Sequence, residues 1–247
     1  MSGHSKWATI RHKKGAQDAK RGKIFSKIIK EITIAARIGG GELESNPRLR
    51  TAITKAKGAN MPKDNIDRAI KKGTGELGGA DYVELSYEGY GPGGVAILID
   101  ALTDNKNRTA ADVRSVFTKN GGNLGETGCV SYLFNRRGII SYDSSRYSED
   151  EIMEAALEAG AEDVSAEGSS IEISTTPEDF ESVLDAMVSA GFEHEMAEIS
   201  LVADATVSLD PEKTRKSLRL VELLDDLEDV QEVATNLEIP DDFDLDE

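Results

Sequence analysis

Apolar residues in the first third of the chain recur at helical spacing. Phe25, Ile28, Ile29, Ile32 and Ala36 fall three and four residues apart, which predicts a helix over 23–37 with one buried stripe. Asn46 before Pro47 is an N-cap with proline at the first helical position. It opens a second helix whose stripe is Leu49, Ala52, Ile53 and Ala56. Pro62 opens a third, carrying Ile66 and Ile70, and Gly73 ends it. Residues 1–22 hold few apolar side chains and many charges, so an arm that is mobile when free is expected there.

Beyond the glycine-rich link 73–79 the period changes to strict alternation. Val83, Leu85 and Tyr87 share one side of a strand while Glu84, Ser86 and Glu88 share the other. The GYGPGG run at 89–94 then turns the chain into VAILIDAL, apolar enough for a central strand. A helix over 108–120 follows, with Ala110, Val113 and Phe117 inward and Asn120-Gly121 as its stop, and a strand is expected near 128–134. The next stretch reads strand 138–142, helix 149–159, strands 163–166 and 170–174, helix 178–190 capped by Thr176-Pro177, and strand 193–201. That is βαββαβ, the ferredoxin-like plan. A helix over 211–227 and a strand over 230–237 supply the α-β pair missing from the 80–135 segment.

The expected fold class is therefore α+β: an N-terminal three-helix basic domain followed by two ferredoxin-like α/β domains, the third inserted into the second. The corresponding segments are 1–78 with its arm 1–22, then 79–135 plus 204–239, then 136–203, with an acidic tail at 240–247.

Charge adds what periodicity cannot. Residues 1–75 hold 18 Lys and Arg against 6 Asp and Glu, whereas the rest holds 11 against 40, under a formal net charge of -17. Phosphate polymers attract the first surface and repel the second. Lys6, Arg11, Lys13, Lys14, Lys20, Arg21, Lys23, Lys27 and Lys30 lie within 25 residues, and Asp18 is the only acid among them. A one-sided cationic excess on an anionic protein reads as nucleic-acid contact rather than ordinary solvated surface. Lys20, Lys23, Lys27 and Lys30 share a face away from the apolar stripe, so changing them together to Glu is expected to abolish binding without unfolding. Trp7 sits within the arm, where it either stacks on an exposed base or docks the arm onto a domain. No pair of helices shows a persuasive helix-turn-helix, so phosphate and shape contacts are expected rather than base reading. A second candidate patch, Lys106, Arg108, Arg114, Lys119, Arg136 and Arg137, faces only Asp112 and Glu126 over 106–137; ordinary helix-surface charge explains it equally well.

Other chemistry finds little support. The glycine loop lacks the Lys and Ser or Thr of a phosphate loop and joins strand to strand, so a hairpin turn accounts for it better. His4, His12 and His194 are scattered, and Cys129 reads as a small core residue at a strand start. No catalytic residue, metal, cofactor or small-molecule substrate is expected. No apolar run approaches a bilayer span, the basic N-terminus lacks the apolar stretch of a secretory signal, and a lone cysteine fits a reducing compartment, so a cytoplasmic protein without membrane contact is expected. A monomer is the favoured oligomeric state.

Three blocks carry a family resemblance. GHSKWATIRHKKGAQDAKRGKIF, NPRLRTAITKAKGANMPKDNIDRAIKKGTG and YEGYGPGGVAILIDALTDNKNRTAADVRSVFTKNGGNLGETGCVSYLF resemble the YebC/PmpR family, which also includes a mitochondrial translational activator, and the likeness continues more thinly to about residue 239. The resemblance implies three α+β domains and no enzymatic activity. It implies a probable transcriptional regulator that binds DNA or, as the alternative, a ribosome-associated translation factor that binds ribosomal RNA or tRNA. By resemblance, the nucleic-acid contacts lie from Lys6 through Lys30. An adaptor whose acidic face binds basic proteins would instead keep its function without residues 1–22.

Overall fold

The computed structural model of the chain describes residues 18–78, 81–240 and 243, with the side chains of 18–21 and 167 outside the description. It divides into two compact units: one gathers the described residues up to Ser131 with Glu212–Val233, the other Tyr132–Pro211 with the described residues from Ala234 onward.

The first unit begins with three helices, α1 (Asp18–Gly39), α2 (Pro47–Gly58) and α3 (Lys63–Gly73). Their apolar stripes meet in a core of Ile32, Ala35, Ala36, Leu49, Ala52, Ile53, Ala56, Met61, Ile66 and Ala69, with Phe25, Ile28 and Ile29 half-buried at its edge. Asn46 joins two of these helices. Its side-chain oxygen accepts from Leu49 N at 3.0 Å, while its amide donates to the carbonyls of Ala35 and Gly40 at 2.9 and 2.8 Å. Gly73 lets α3 touch α1, because a Cβ there would lie 2.4 Å from the Thr33 carbonyl oxygen.

The same unit carries a four-stranded sheet of order β3-β1-β2-β9, from β1 (Val83–Tyr90), β2 (Ala96–Thr103), β3 (Asn123–Leu124) and β9 (Val230–Thr235). Strands β1 and β2 pair antiparallel across a turn in which Gly91 N donates to Val95 O at 2.7 Å and Gly93 and Gly94 take positive φ. This is the hairpin that the glycine run predicts. Helix α4 (Lys106–Lys119) buries Val113 and Phe117, and helix α7 (Pro211–Asp225) buries Leu218, Leu220, Val221 and Leu224. Phe117 and Leu220 both lie within 3 Å of where a Cβ on Gly122 would stand, so the two helices meet over one end of the sheet.

The strand expected near 128–134 does not form. Glu88, 4 % exposed, turns its carboxylate onto the N–H groups of Gly128, Val130 and Ser131 at 2.7, 2.7 and 2.8 Å. Those donors are then unavailable to a strand ladder, and Ser131–Leu133 close into a single 3-10 turn. Cys129 sits in the bend just before this turn, half-buried, instead of starting a strand in the core. Burial and the neighbouring Glu88 push its thiol pKa up. Burial would also raise the Glu88 pKa, yet the three N–H donors hold it below the ordinary glutamate value.

The second unit is the predicted βαββαβ: β4 (Phe134–Asp143), α5 (Glu149–Ala159), β5 (Asp163–Glu167), β6 (Ser170–Thr175), α6 (Phe180–Ser189) and β7 (Met196–Ala203), in sheet order β5-β6-β4-β7 with antiparallel pairings. Ser148 and Glu151 form a reciprocal capping box at the start of α5. Thr176 does not cap α6 directly. Its hydroxyl accepts from Asp179 N at 3.1 Å in a turn that precedes the helix. Gly138 admits α6, since a Cβ there would sit 2.5 Å from the Phe180 ring. A short parallel pair, β8 (Val207–Ser208) with β10 (Leu237–Glu238), completes this unit.

Candidate nucleic-acid interface

Lys23, Lys27 and Lys30 recur at i, i+4 and i+7 along α1 and so share one face. That face meets the acidic turn between α7 and β9. Lys23 Nζ donates to the Asp226 carbonyl at 3.2 Å and lies 3.6 Å from its carboxylate. Lys27 Nζ reaches the Asp225 carbonyl at 2.6 Å and its carboxylate at 3.2 Å. Lys30 Nζ donates to the Glu228 carbonyl at 3.0 Å and to Asp229 Oδ1 at 2.7 Å.

Asp229 is the centre of this arrangement. Its Oδ2 accepts from Arg108 Nη2 and Nε at 2.8 and 3.2 Å, from Thr109 Oγ1 at 2.8 Å and from Thr103 Oγ1 at 3.2 Å, while its backbone carbonyl accepts from Leu102 N at 2.8 Å. Burial alone would favour the neutral acid. Donation from Lys30, Arg108 and Thr109 outweighs it, and the carboxyl pKa falls to about 2. One carboxylate thus ties the helical bundle to α4, β2 and the start of β9.

These contacts correct the expectation of one open basic face. Lys30 is 6 % exposed and Lys27 is partly buried against Asp225, so neither is presented to a phosphate while the pairs hold. Only Lys23 is half-exposed. Changing these lysines to Glu would set carboxylate against carboxylate and undock α1, so it would not leave the fold untouched. Lys20 and Arg21 are described in backbone only, and Lys6, Trp7, Arg11, Lys13 and Lys14 lie outside the described residues.

The second patch also divides. Arg108 is committed to Asp229 and, at 2.9 Å, to Asp104. Arg137 pairs with Glu162 at 3.1 Å and belongs, with Arg136, to the other compact unit. Lys106, Arg114 and Lys119 remain exposed on α4 without an ion pair among the described residues.

A different set of cations is left available. Over 47–73, eight Lys and Arg stand against Asp64 and Asp67. Arg48 is spent on Glu31 and Glu84 at 2.7 and 2.6 Å, and Arg50 on the carbonyls of Leu43 and Glu44 at 2.8 and 3.1 Å. Lys72 lies 5.2 Å from the Tyr82 ring centroid. Lys57, Lys63, Arg68 and Lys71 are exposed and make no ion pair among the described residues. Sequence reasoning saw the charge excess here but did not single these four out. Burial and pairing, which separate them from their neighbours, leave no local sequence mark. A groove of about 540 Å³ lies beside the end of α3, lined by Arg37, Lys72, Thr74 and Tyr82 among others. Arg37 there is held by Asp81 and the Tyr82 carbonyl.

Among the described residues, no group of three or more His, Cys, Asp or Glu could hold a metal ion, and no helix is long and apolar enough to cross a membrane. Asp229 and Glu88, buried carboxylates with lowered pKa, have their oxygens taken up by internal donors.

The chain is similar to known proteins over nearly its whole length. A model of the TACO1/YebC N-terminal domain matches residues 5–76, and a model of the TACO1/YebC second and third domain matches residues 82–237. The chain is 62 % identical to a probable transcriptional regulatory protein of Treponema denticola over the full length of both, and 59 % identical to one of Treponema pallidum over 97 % of this chain and 98 % of that one. The crystal structure of a conserved hypothetical protein from Aquifex aeolicus superimposes with a TM-score of 0.82 at 51 % identity, covering 91 % of this chain and 93 % of that one.

Proposed function

The chain belongs to the TACO1/YebC family, and on that premise we propose that it is a non-enzymatic, cytoplasmic regulator of gene expression that binds nucleic acid through its N-terminal basic module. The supporting observation is the sorting of cations. In a strongly acidic protein, Lys57, Lys63, Arg68 and Lys71 keep exposed charge, unpaired among the described residues, from the end of α2 along α3, in the same basic segment as the arm. On this reading the chain is organised as a basic helical domain, a discontinuous α/β domain and an inserted βαββαβ domain. The arm and the exposed helical cations hold the phosphates, and the acidic domains keep the chain off nonspecific polyanions. DNA is the primary ligand, in keeping with relatives named transcriptional regulatory proteins.

One observation favours a second reading, folded RNA on the ribosome. Asp64 and Asp67 lie exposed on α3 beside its cations, so this helix lacks the uniform cationic edge of a helix seated in a DNA groove. Ultraviolet crosslinking of the tagged protein in cells, with DNA and RNA sequenced from one sample, separates the two. Discrete promoter peaks support the first reading, and focal ribosomal RNA with little DNA replaces it by the second. Replacing Lys57, Lys63, Arg68 and Lys71 with Glu weakens binding in either case and lowers the log–log salt slope on duplex DNA by about 0.9 for each phosphate no longer neutralised. Unchanged binding by a folded variant would remove these four residues from the interface.

A further inference from the structure

The three lysine contacts along α1 are graded by solvent access. The Lys30 and Asp229 side chains are 8 and 6 % exposed, Lys27 and Asp225 17 and 19 %, and Lys23 and Asp226 51 and 48 %. The row therefore has a locked inner end and an open outer end, and the open end points along α1 toward Lys20 and Arg21 in the preceding turn. Each carboxylate presents to a lysine ammonium the oxygen that a phosphate would present.

We propose that the turn Asp225–Asp229 is a built-in competitor for the nucleic-acid site: Asp226 and Asp225 occupy Lys23 and Lys27 in the free protein, and phosphates of a bound strand take their place. The inference rests on the nucleic-acid reading above and concerns the regulation of that site. The outer pair lies in water, where screening leaves little attraction to overcome, and a polyanion gains in addition the release of its own counterions. Lys23 is freed first. Lys27 follows at greater cost, because its pair is less exposed and its bond to the Asp225 carbonyl, 2.6 Å against 3.2 Å from Lys23 to the Asp226 carbonyl, is the shorter. Lys30 stays, since removing it would strand Asp229 as a buried charge. The inner pair thus acts as a pivot that keeps α1 docked while its outer lysines exchange partners. An isolated anion gains too little to displace two carboxylates, so the turn sets a threshold that a closely spaced row of phosphates can cross.

The full-length protein, Asp225→Asn/Asp226→Asn and the control Glu149→Gln/Asp150→Asn are titrated by fluorescence anisotropy against a labelled single-stranded RNA and a labelled duplex DNA over a series of KCl concentrations. The control makes the same change in net charge on exposed residues at the start of α5. The turn variant binds about tenfold more tightly with a salt slope close to the parent's, because the same phosphates are neutralised in both complexes, and the control stays within about twofold of the parent. The single variant Asp226→Asn touches only the exposed pair and binds about threefold more tightly than the parent, which covers the case in which the double variant loses its circular-dichroism signal. A parent that binds while the turn variants match the control would overturn the proposal. If parent, variants and control all fail to bind either probe, the nucleic-acid reading itself falls, and this inference falls with it.

Discussion

Asp229 and Glu88 are both buried carboxylates in the first unit, both held below the ordinary carboxylate range, yet opposite kinds of donor satisfy them. Asp229 takes charged partners from distant elements, Lys30 of α1 and Arg108 of α4, together with two threonine hydroxyls. Glu88 takes three backbone N–H groups from a single turn. The first converts cations of a kind that bind phosphate into structural ones and docks the helical bundle. The second carries no counter-charge and decides only where the chain runs after β3. The donors a carboxylate meets, more than its own burial, determine whether it spends binding capacity or shapes backbone.

Removing each carboxylate separates the two sites most. Asp229→Ala leaves Lys30 buried without the buried carboxylate it contacts at 2.7 Å, and about 3–5 kcal/mol of stability is lost in urea unfolding. Asp229→Asn keeps an acceptor and loses less. Glu88→Ala strands no charge but deprives the N–H groups of Gly128, Val130 and Ser131 of their acceptor, at a cost of about 1–3 kcal/mol. Hydrogen exchange then rises at those amides while the amides around Lys30 stay protected. Equal losses, or exchange spreading from the Glu88 site into α1, would mean that the two sites form one cooperative network.

Acid sharpens the same contrast. The Asp229 carboxyl sits at about 2 in the folded protein against an ordinary 3.8, so the unfolded chain binds this proton more readily than the folded one. The stabilisation is fully present above the unfolded value and is lost as pH falls through 3.8 toward about 2, an effect of about 2 kcal/mol. Glu88, also lowered, adds to the loss in the same direction. Unfolding free energies measured down this range should fall less steeply for Asp229→Asn than for the parent. Parallel curves would show that the carboxylate titrates alike in both states.

Local pattern carried most of the fold. The α2 stripe of Leu49, Ala52, Ile53 and Ala56 is buried as its spacing predicts, and the βαββαβ order of the second unit follows from alternation and caps. The misread strand near 128–134 has a specific cause. Glu88 falls on the polar side of an alternating strand, which reads as solvent-facing, but it turns inward onto backbone donors that a local pattern does not anticipate. The lysine row failed for a related reason. Lys27 and Asp225 are 198 positions apart and Lys30 and Asp229 are 199 apart, so each side looked like surface charge in its own neighbourhood. Periodicity shows which face of a helix carries lysine, whereas the partner across that face is a property of the tertiary fold.

The smallest effect tests whether the lysine row is truly graded. Lys23→Ala removes a half-exposed pair and should cost less than about 1 kcal/mol, because solvent and salt already weaken the attraction it loses. Thermal unfolding at low and high KCl gives the discriminating reading. The shift for Lys23→Ala should shrink toward zero at high salt, where the Debye length falls to about 3 Å, whereas the shift for Asp229→Ala should persist because buried charges are screened little. Lys27→Ala should fall between them, as its burial does. If Lys23→Ala instead matched Asp229→Ala and ignored salt, the outer pair would be as fixed as the inner one. The lysine row of α1 would then be structural along its whole length, leaving no end of it for an incoming phosphate to open.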